Sequence, residues 1–404
     1  MLEKSYSKTS KLVLLFSLFV VIFSLIPVVF PALISETVTI SDLEKIGIIP
    51  YEEDPYQIGL LAAPLILINV IVFTTYFLKN KLPLGISKLF KKLFSFEISK
   101  KISLIIIVIL LVIYVLASAE ELSTEETLED YEHIKIRLSY WNITQVTNQV
   151  FEPHVKYFLL TTSMILFGNY KVIPFLASIA LLITTYIITE TITKNRFAGL
   201  VSMMLVLQSS LFLSFDTVIS YTNFWILFYL LSLYSVIRIW VASPILFGLS
   251  IFCKTLTVGF SPMSVFFILN SDISKNKKII LIGILGILVI SGSILFLGAH
   301  NIVEQFRWDE FWVGFTSFAF QMRFDAITVL FLMPLIFGLF VSSKNNKYAN
   351  SISILIVGIL LSAPLITGFT DQTNQPYRFM PIIIFFAVGV GMLFSIKRVQ
   401  RNSI

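Results

Sequence analysis

Apolar residues in this chain fall in long uninterrupted runs separated by short polar stretches. A helix needs roughly 20 apolar residues to cross a hydrocarbon core of ~30 Å. Runs at 12–34, 58–78, 102–118, 172–191, 198–213, 223–240, 279–298, 325–342, 351–367 and 379–396 therefore predict spanning helices. The run 244–271 is longer and is interrupted by Lys254, Gly259 and Pro262. It starts and ends beside polar stretches that belong to one side, which predicts a broken helical hairpin of two short passes. The run 157–168 is too short to span and reads as an interfacial or re-entrant helix. The expected fold is an all-α polytopic transmembrane bundle of about twelve spans, with short interfacial helices in its outer loops.

Composition agrees with this pattern. The 404 residues are 56% hydrophobic and only 13% charged, about half the charged share of a soluble domain. The formal net charge of +6 does not point to nucleic acid, because the basic residues are placed between the runs as topology determinants. The stretches 1–11, 79–101, 192–197, 241–243, 272–278, 343–350 and 397–404, with Arg238, hold 21 of the 30 Lys and Arg residues. The positive-inside rule puts them, and both termini, in the cytoplasm of a multi-pass cell-membrane protein. Most of the 24 acidic residues, and His133, His154 and His300, then lie outside. The stretch 82–99 reads as an inside linker or a basic amphipathic surface helix. Cys253 is the one cysteine, so no internal disulfide can form. No nucleotide-binding glycine loop is present.

The outer stretches carry the candidate chemistry. Loop 35–57 holds six carboxylates against Lys45 and reads as a solvated acidic face. Loop 119–156 holds Glu120, Glu121, Glu125, Glu126, Glu129, Asp130, Glu132 and Glu152 together with His133 and His154. Clustered carboxylates beside a membrane suit a general base or a divalent metal such as Mg or Mn. Asn142-Ile143-Thr144 is a glycosylation sequon on the same side. Lys254 inside an apolar run needs water or an anion, for which a phosphate is suitable. Arg378 opens the last run, and Arg307, Trp308, Asp309, Glu310 and Arg323 form a further mixed outer group.

Several of these stretches, in order, resemble the core of polytopic GT-C glycosyltransferases that use polyprenyl-phosphate sugars. Protein mannosyltransferases and lipid A aminoarabinose transferases belong to that group. The resemblance rests on Pro153-His154-Val155-Lys156-Tyr157, Leu166-Phe167-Gly168, Val172-Ile173-Pro174-Phe175 and the short basic turn Thr193 to Gly199. Gly248-Leu249 before Cys253-Lys254-Thr255, and Tyr377-Arg378-Phe379-Met380-Pro381, extend it. His and Pro at 153–154 are inverted relative to the family's usual order. Asn223 stands where many members carry Asp, with Asp216 nearby.

The resemblance implies three segments. Residues 1–101 add two extra spans, 102–271 form the catalytic core, and 272–404 form the C-terminal helices. It implies inverting transfer of a sugar from a polyprenyl or dolichyl phosphate to a protein, lipid or glycan acceptor at the outer face. By the same resemblance, the base is Asp130 or Glu132, with Glu129 next, and Lys254 and Arg378 receive the phosphate. His154 and Tyr377 orient the donor, and Asp216, Asn223 and Glu152 are further candidates. A transporter of an anionic solute, and an inactive GT-C-like lipid-binding subunit, are the rival readings.

Overall fold

The computed structural model describes residues 6–30, 56–79, 93, 96–126, 130–142, 153–299, 306–322, 325–369 and 376–394. Among these residues the chain is helical, joined by turns and irregular segments, with no strand. In chain order, α1 (Lys8–Val29) and α2 (Tyr56–Lys79) precede α3 (Lys100–Ser118), α4 (Asp130–Tyr140), α5 (His154–Phe167) and α6 (Val172–Thr193). Next come α7 (Arg196–Leu207), the single-turn α8 (Ser210–Ser214), α9 (Phe224–Arg238), α10 (Ala242–Cys253), α11 (Ser261–Asn270) and α12 (Lys275–Ala299). The order ends with α13 (Trp308–Met322), α14 (Ala326–Ser342), α15 (Tyr348–Thr367) and α16 (Met380–Leu393).

Each predicted apolar run contains a helix, and local chemistry sets where each helix stops. The run 198–213 is not one helix. It breaks at Gln208 and Ser209, between α7 and α8, where Ser209 Oγ donates to Asp325 Oδ2 at 3.0 Å. The run 244–271 breaks at Lys254, whose backbone is extended (φ −159°, ψ 115°). A 3-10 segment, Thr255–Phe260, follows, and Pro262 sits in the first turn of α11, where its missing N–H costs nothing. Gly168 ends α5 with a left-handed φ of 66°, and its N–H closes on Met164 O at 2.9 Å. The turn before α7 uses Lys194 at φ 55° and Asn195 as N-cap, whose Oδ1 accepts from Phe197 N–H at 2.9 Å.

Two compact units are interleaved along the chain. One comprises Met1–Ile106, Thr185–Leu211 and Phe306–Ile404. Within it α16 is apolar and buried almost throughout, and packs on α7. Gly391 makes that approach possible, because a Cβ there would run into the side chains of Ser202 and Thr189. Ser202 Oγ also donates to Ala387 O at 2.8 Å. α1 packs on α14 and α15, and α2 on α14.

The other unit comprises Ile107–Thr184 and Phe212–Gln305. Its centre is α9 against α10, pinned by Ser250 Oγ to Trp225 O at 2.6 Å and Ser232 Oγ to Ser243 O at 3.0 Å. α5 packs on α10, and α4 on α5.

Helices α1, α3 and α6 are long and apolar enough to cross a membrane by length and composition. In α3 only 17% of the most apolar window is buried, and Leu104, Ile105, Val108, Ile109, Val112 and Ile113 are all exposed. Water would penalise such a surface by about 25 cal/mol per Å² of apolar area. Hydrocarbon would not, so this helix has the surface of a lipid-facing element. Most of loop 35–57 and of stretch 79–101, the sequon beyond Asn142, and Glu129, Glu152, His300 and Arg323 lie outside the described residues.

Candidate functional site

The unit built on α9 and α10 holds a buried non-helical segment, residues 215–223, between α8 and α9. Its backbone cannot satisfy itself as a helix would, so its polar groups need partners from elsewhere. The loop after α3 supplies them. Thr217 Oγ1 donates to Glu121 Oε2 at 2.9 Å. Glu126 accepts from Ile219 N–H at 2.5 Å, Ser220 N–H at 3.3 Å and Ser220 Oγ at 2.8 Å. Tyr221 Oη donates to Asp130 Oδ2 at 2.8 Å. Three carboxylates thus bind three successive parts of the segment in chain order.

The loop is also held by its own backbone. Buried Lys171 donates to Glu121 O at 2.9 Å and Thr124 O at 2.7 Å, and Asn169 Nδ2 donates to Leu122 O at 2.8 Å. Lys156, in the first turn of α5, donates to Ser220 O at 2.6 Å. Burial lowers its pKa to about 8, and the carboxylates of Glu126 and Asp130 oppose that shift only in part.

Asp216 lies near the start of the segment and is 1% exposed. Its Oδ2 accepts from Ser118 Oγ at 2.9 Å, whereas Oδ1 has no hydrogen-bond partner. Burial pushes its carboxyl up to about 6. Asn223 is buried and donates to Ser178 Oγ at 3.0 Å and Phe215 O at 3.3 Å, and Ser178 Oγ donates to Asp216 O at 2.8 Å. Asn223 therefore ties the segment to α6.

The sequence-predicted residues divide as follows. Asp130 joins the cluster, and Asp216 and Asn223 lie in the segment it binds. Glu132 points away. It is exposed and pairs with Lys135 at 3.2 Å, as expected for i,i+2 positions on one helix. His154 is buried at the start of α5 and accepts from Trp141 Nε1 at 3.4 Å. Lys254 lies 5.2 Å from the centre of the Trp225 ring, within cation–π range. Arg378 is buried, and it and Tyr377 lie in the 3-10 turn Pro376–Phe379, which belongs to the other unit. Glu129 and Glu152 lie outside the described residues.

Glu126 and Lys156 stand in the sequence without an evident role. The signal that finds them is the spacing of Glu121, Glu126 and Asp130, which spreads carboxylates along the loop rather than on one helix face. Lys156 is the next cation along the chain after Lys135 and Arg137, which follow that acidic stretch. Among the described residues no group of three or more His, Cys, Asp or Glu side chains is arranged to hold a metal. No protein-family model, curated protein or solved structure matches the chain.

Proposed function

We propose that the chain is a multi-pass membrane glycosyltransferase of GT-C type, with about twelve spans and both termini cytoplasmic. It moves a sugar from a polyprenyl-phosphate carrier to an acceptor at the outer face. The supporting observation is the convergence of the outer-loop carboxylates Glu126 and Asp130 with Lys156 on residues 219–221, shortly before α9. Sugar transfer from a phosphate carrier needs a base near the acceptor and positive charge at the departing phosphate. Asp130 is the base in this reading, oriented by the Tyr221 hydroxyl. Lys156 is the nearby cation, while Lys254 supports the site through Trp225, which lies in the first turn of α9.

The direct test is transfer from a labelled polyprenyl-phosphate sugar in membranes carrying the protein. Asp130→Asn should lower the rate by about 10²-fold or more, the usual contribution of a positioned base. Glu132→Gln should leave it within about twofold, because its carboxylate is solvated and outside the cluster. Wild-type protein that binds the carrier without turnover would instead favour an inactive lipid-binding relative.

A further inference from the structure

Glu126 occupies a site whose chemistry is that of an anion receptor. Two successive backbone N–H groups, Ile219 and Ser220, and the Ser220 hydroxyl all donate to its two carboxylate oxygens. Successive N–H groups outside a helix form a concave donor set that favours anions, as in phosphate-binding loops. Lys156 adds an ammonium at the same residue, through its bond to Ser220 O. The segment carrying these donors is buried, and Lys171 and Asn169 independently hold the preceding loop through its backbone carbonyls. Release of the Glu126 side chain therefore need not undo the loop's other anchors.

We infer that residues 219–220 with Lys156 form a phosphate-binding nest that Glu126 closes from within, so that an incoming phosphate must displace this side chain. Glu126 acts as an internal competitor: it fills the donors when the ligand is absent and keeps their hydrogen bonds satisfied. That the natural ligand is a carrier-lipid phosphate rests on the function proposed above. The existence of the nest does not.

Titration calorimetry on the full chain in nanodiscs tests this, with inorganic phosphate in one arm and a short-chain polyprenyl phosphate without sugar in the other. Glu126→Gln should bind at least about 10-fold more tightly than wild type, because a charged competitor has been removed. Adding Lys156→Met to Glu126→Gln should remove most of that gain. Tighter binding of the lipid than of inorganic phosphate assigns the nest to the carrier, and equal binding assigns it to free phosphate. An unchanged or weaker affinity of Glu126→Gln, or a gain that survives Lys156→Met, overturns the inference. Hydrogen exchange on the wild-type protein guards against a folding defect in the variants. Phosphate should leave the amides of 219–220 protected while 120–126 exchanges faster, and no change in 120–126 counts against displacement. Phosphate binding without sugar transfer would sink the proposed reaction and leave the nest standing.

Discussion

At the residue scale, two groups carry pH dependences that can be measured separately. Asp216 is buried with one oxygen unsatisfied, and burial raises its pKa from 3.8 to about 6. Between those values the folded chain holds a proton that the unfolded chain has lost, so this residue's contribution to stability falls as pH rises and levels off above about 6. At about 1.4 kcal/mol per unit, the loss is about 3 kcal/mol. Asp216→Asn keeps an acceptor for Ser118 and does not titrate. Thermal melts should show the variant gaining on wild type between pH 4 and 6, with a constant advantage above that range. A difference independent of pH would contradict this account. Lys156 governs function rather than stability, and does so at higher pH. Its ammonium is lost as pH rises through about 8, so transfer by wild type should decline there. Lys156→Arg, which stays charged, should shift that decline to higher pH. These environments were not legible in the sequence: nothing in Phe215-Asp216-Thr217 announces a fully buried carboxylate, because burial is set by helices distant in the chain.

At the element scale the sequence was informative wherever a helix is apolar throughout. The runs behind α1, α3, α6, α9 and α16 announce their helices by length, and Lys254 with Pro262 announces the break in 244–271. The break at Gln208-Ser209 was hidden, since 198–213 stays apolar across it. The cause is tertiary: Asp325 captures Ser209 Oγ and also caps α14 by accepting from Thr328 N–H at 3.0 Å. Segment 215–223 was hidden for the same reason, because its partners lie about ninety residues earlier in the chain. The contact between α7 and α16 provides a test of packing at this scale. Gly391→Ala places a methyl group against Ser202 and Thr189, and overpacking of this kind typically costs about 1–3 kcal/mol. Gly248→Ala meets no atom within 4 Å and should leave the melting temperature nearly unchanged. Equal melting temperatures for the two variants would mean that the α7–α16 contact is looser than described.

At the scale of the whole molecule, α1, α3 and α6 are long and apolar enough to cross a membrane, and the exposed apolar face of α3 suits lipid contact. The orientation proposed above, with both termini cytoplasmic, has a direct check. Native Cys253 is buried, so a cysteine introduced at Glu125 should be the one labelled by a membrane-impermeant thiol reagent in intact cells. A cysteine at Lys275 should react only after permeabilisation, and the reverse result would invert the topology. In the function proposed above, the carboxylates gathered on residues 217–221 serve sugar transfer from a phosphate carrier. Its most direct measurement is the transfer rate from a labelled polyprenyl-phosphate sugar by wild type, Asp130→Asn and Glu132→Gln in the same membranes. Wild type and Glu132→Gln should transfer, and Asp130→Asn should lose about 10²-fold or more. Transfer by Asp130→Asn at the wild-type rate would contradict it.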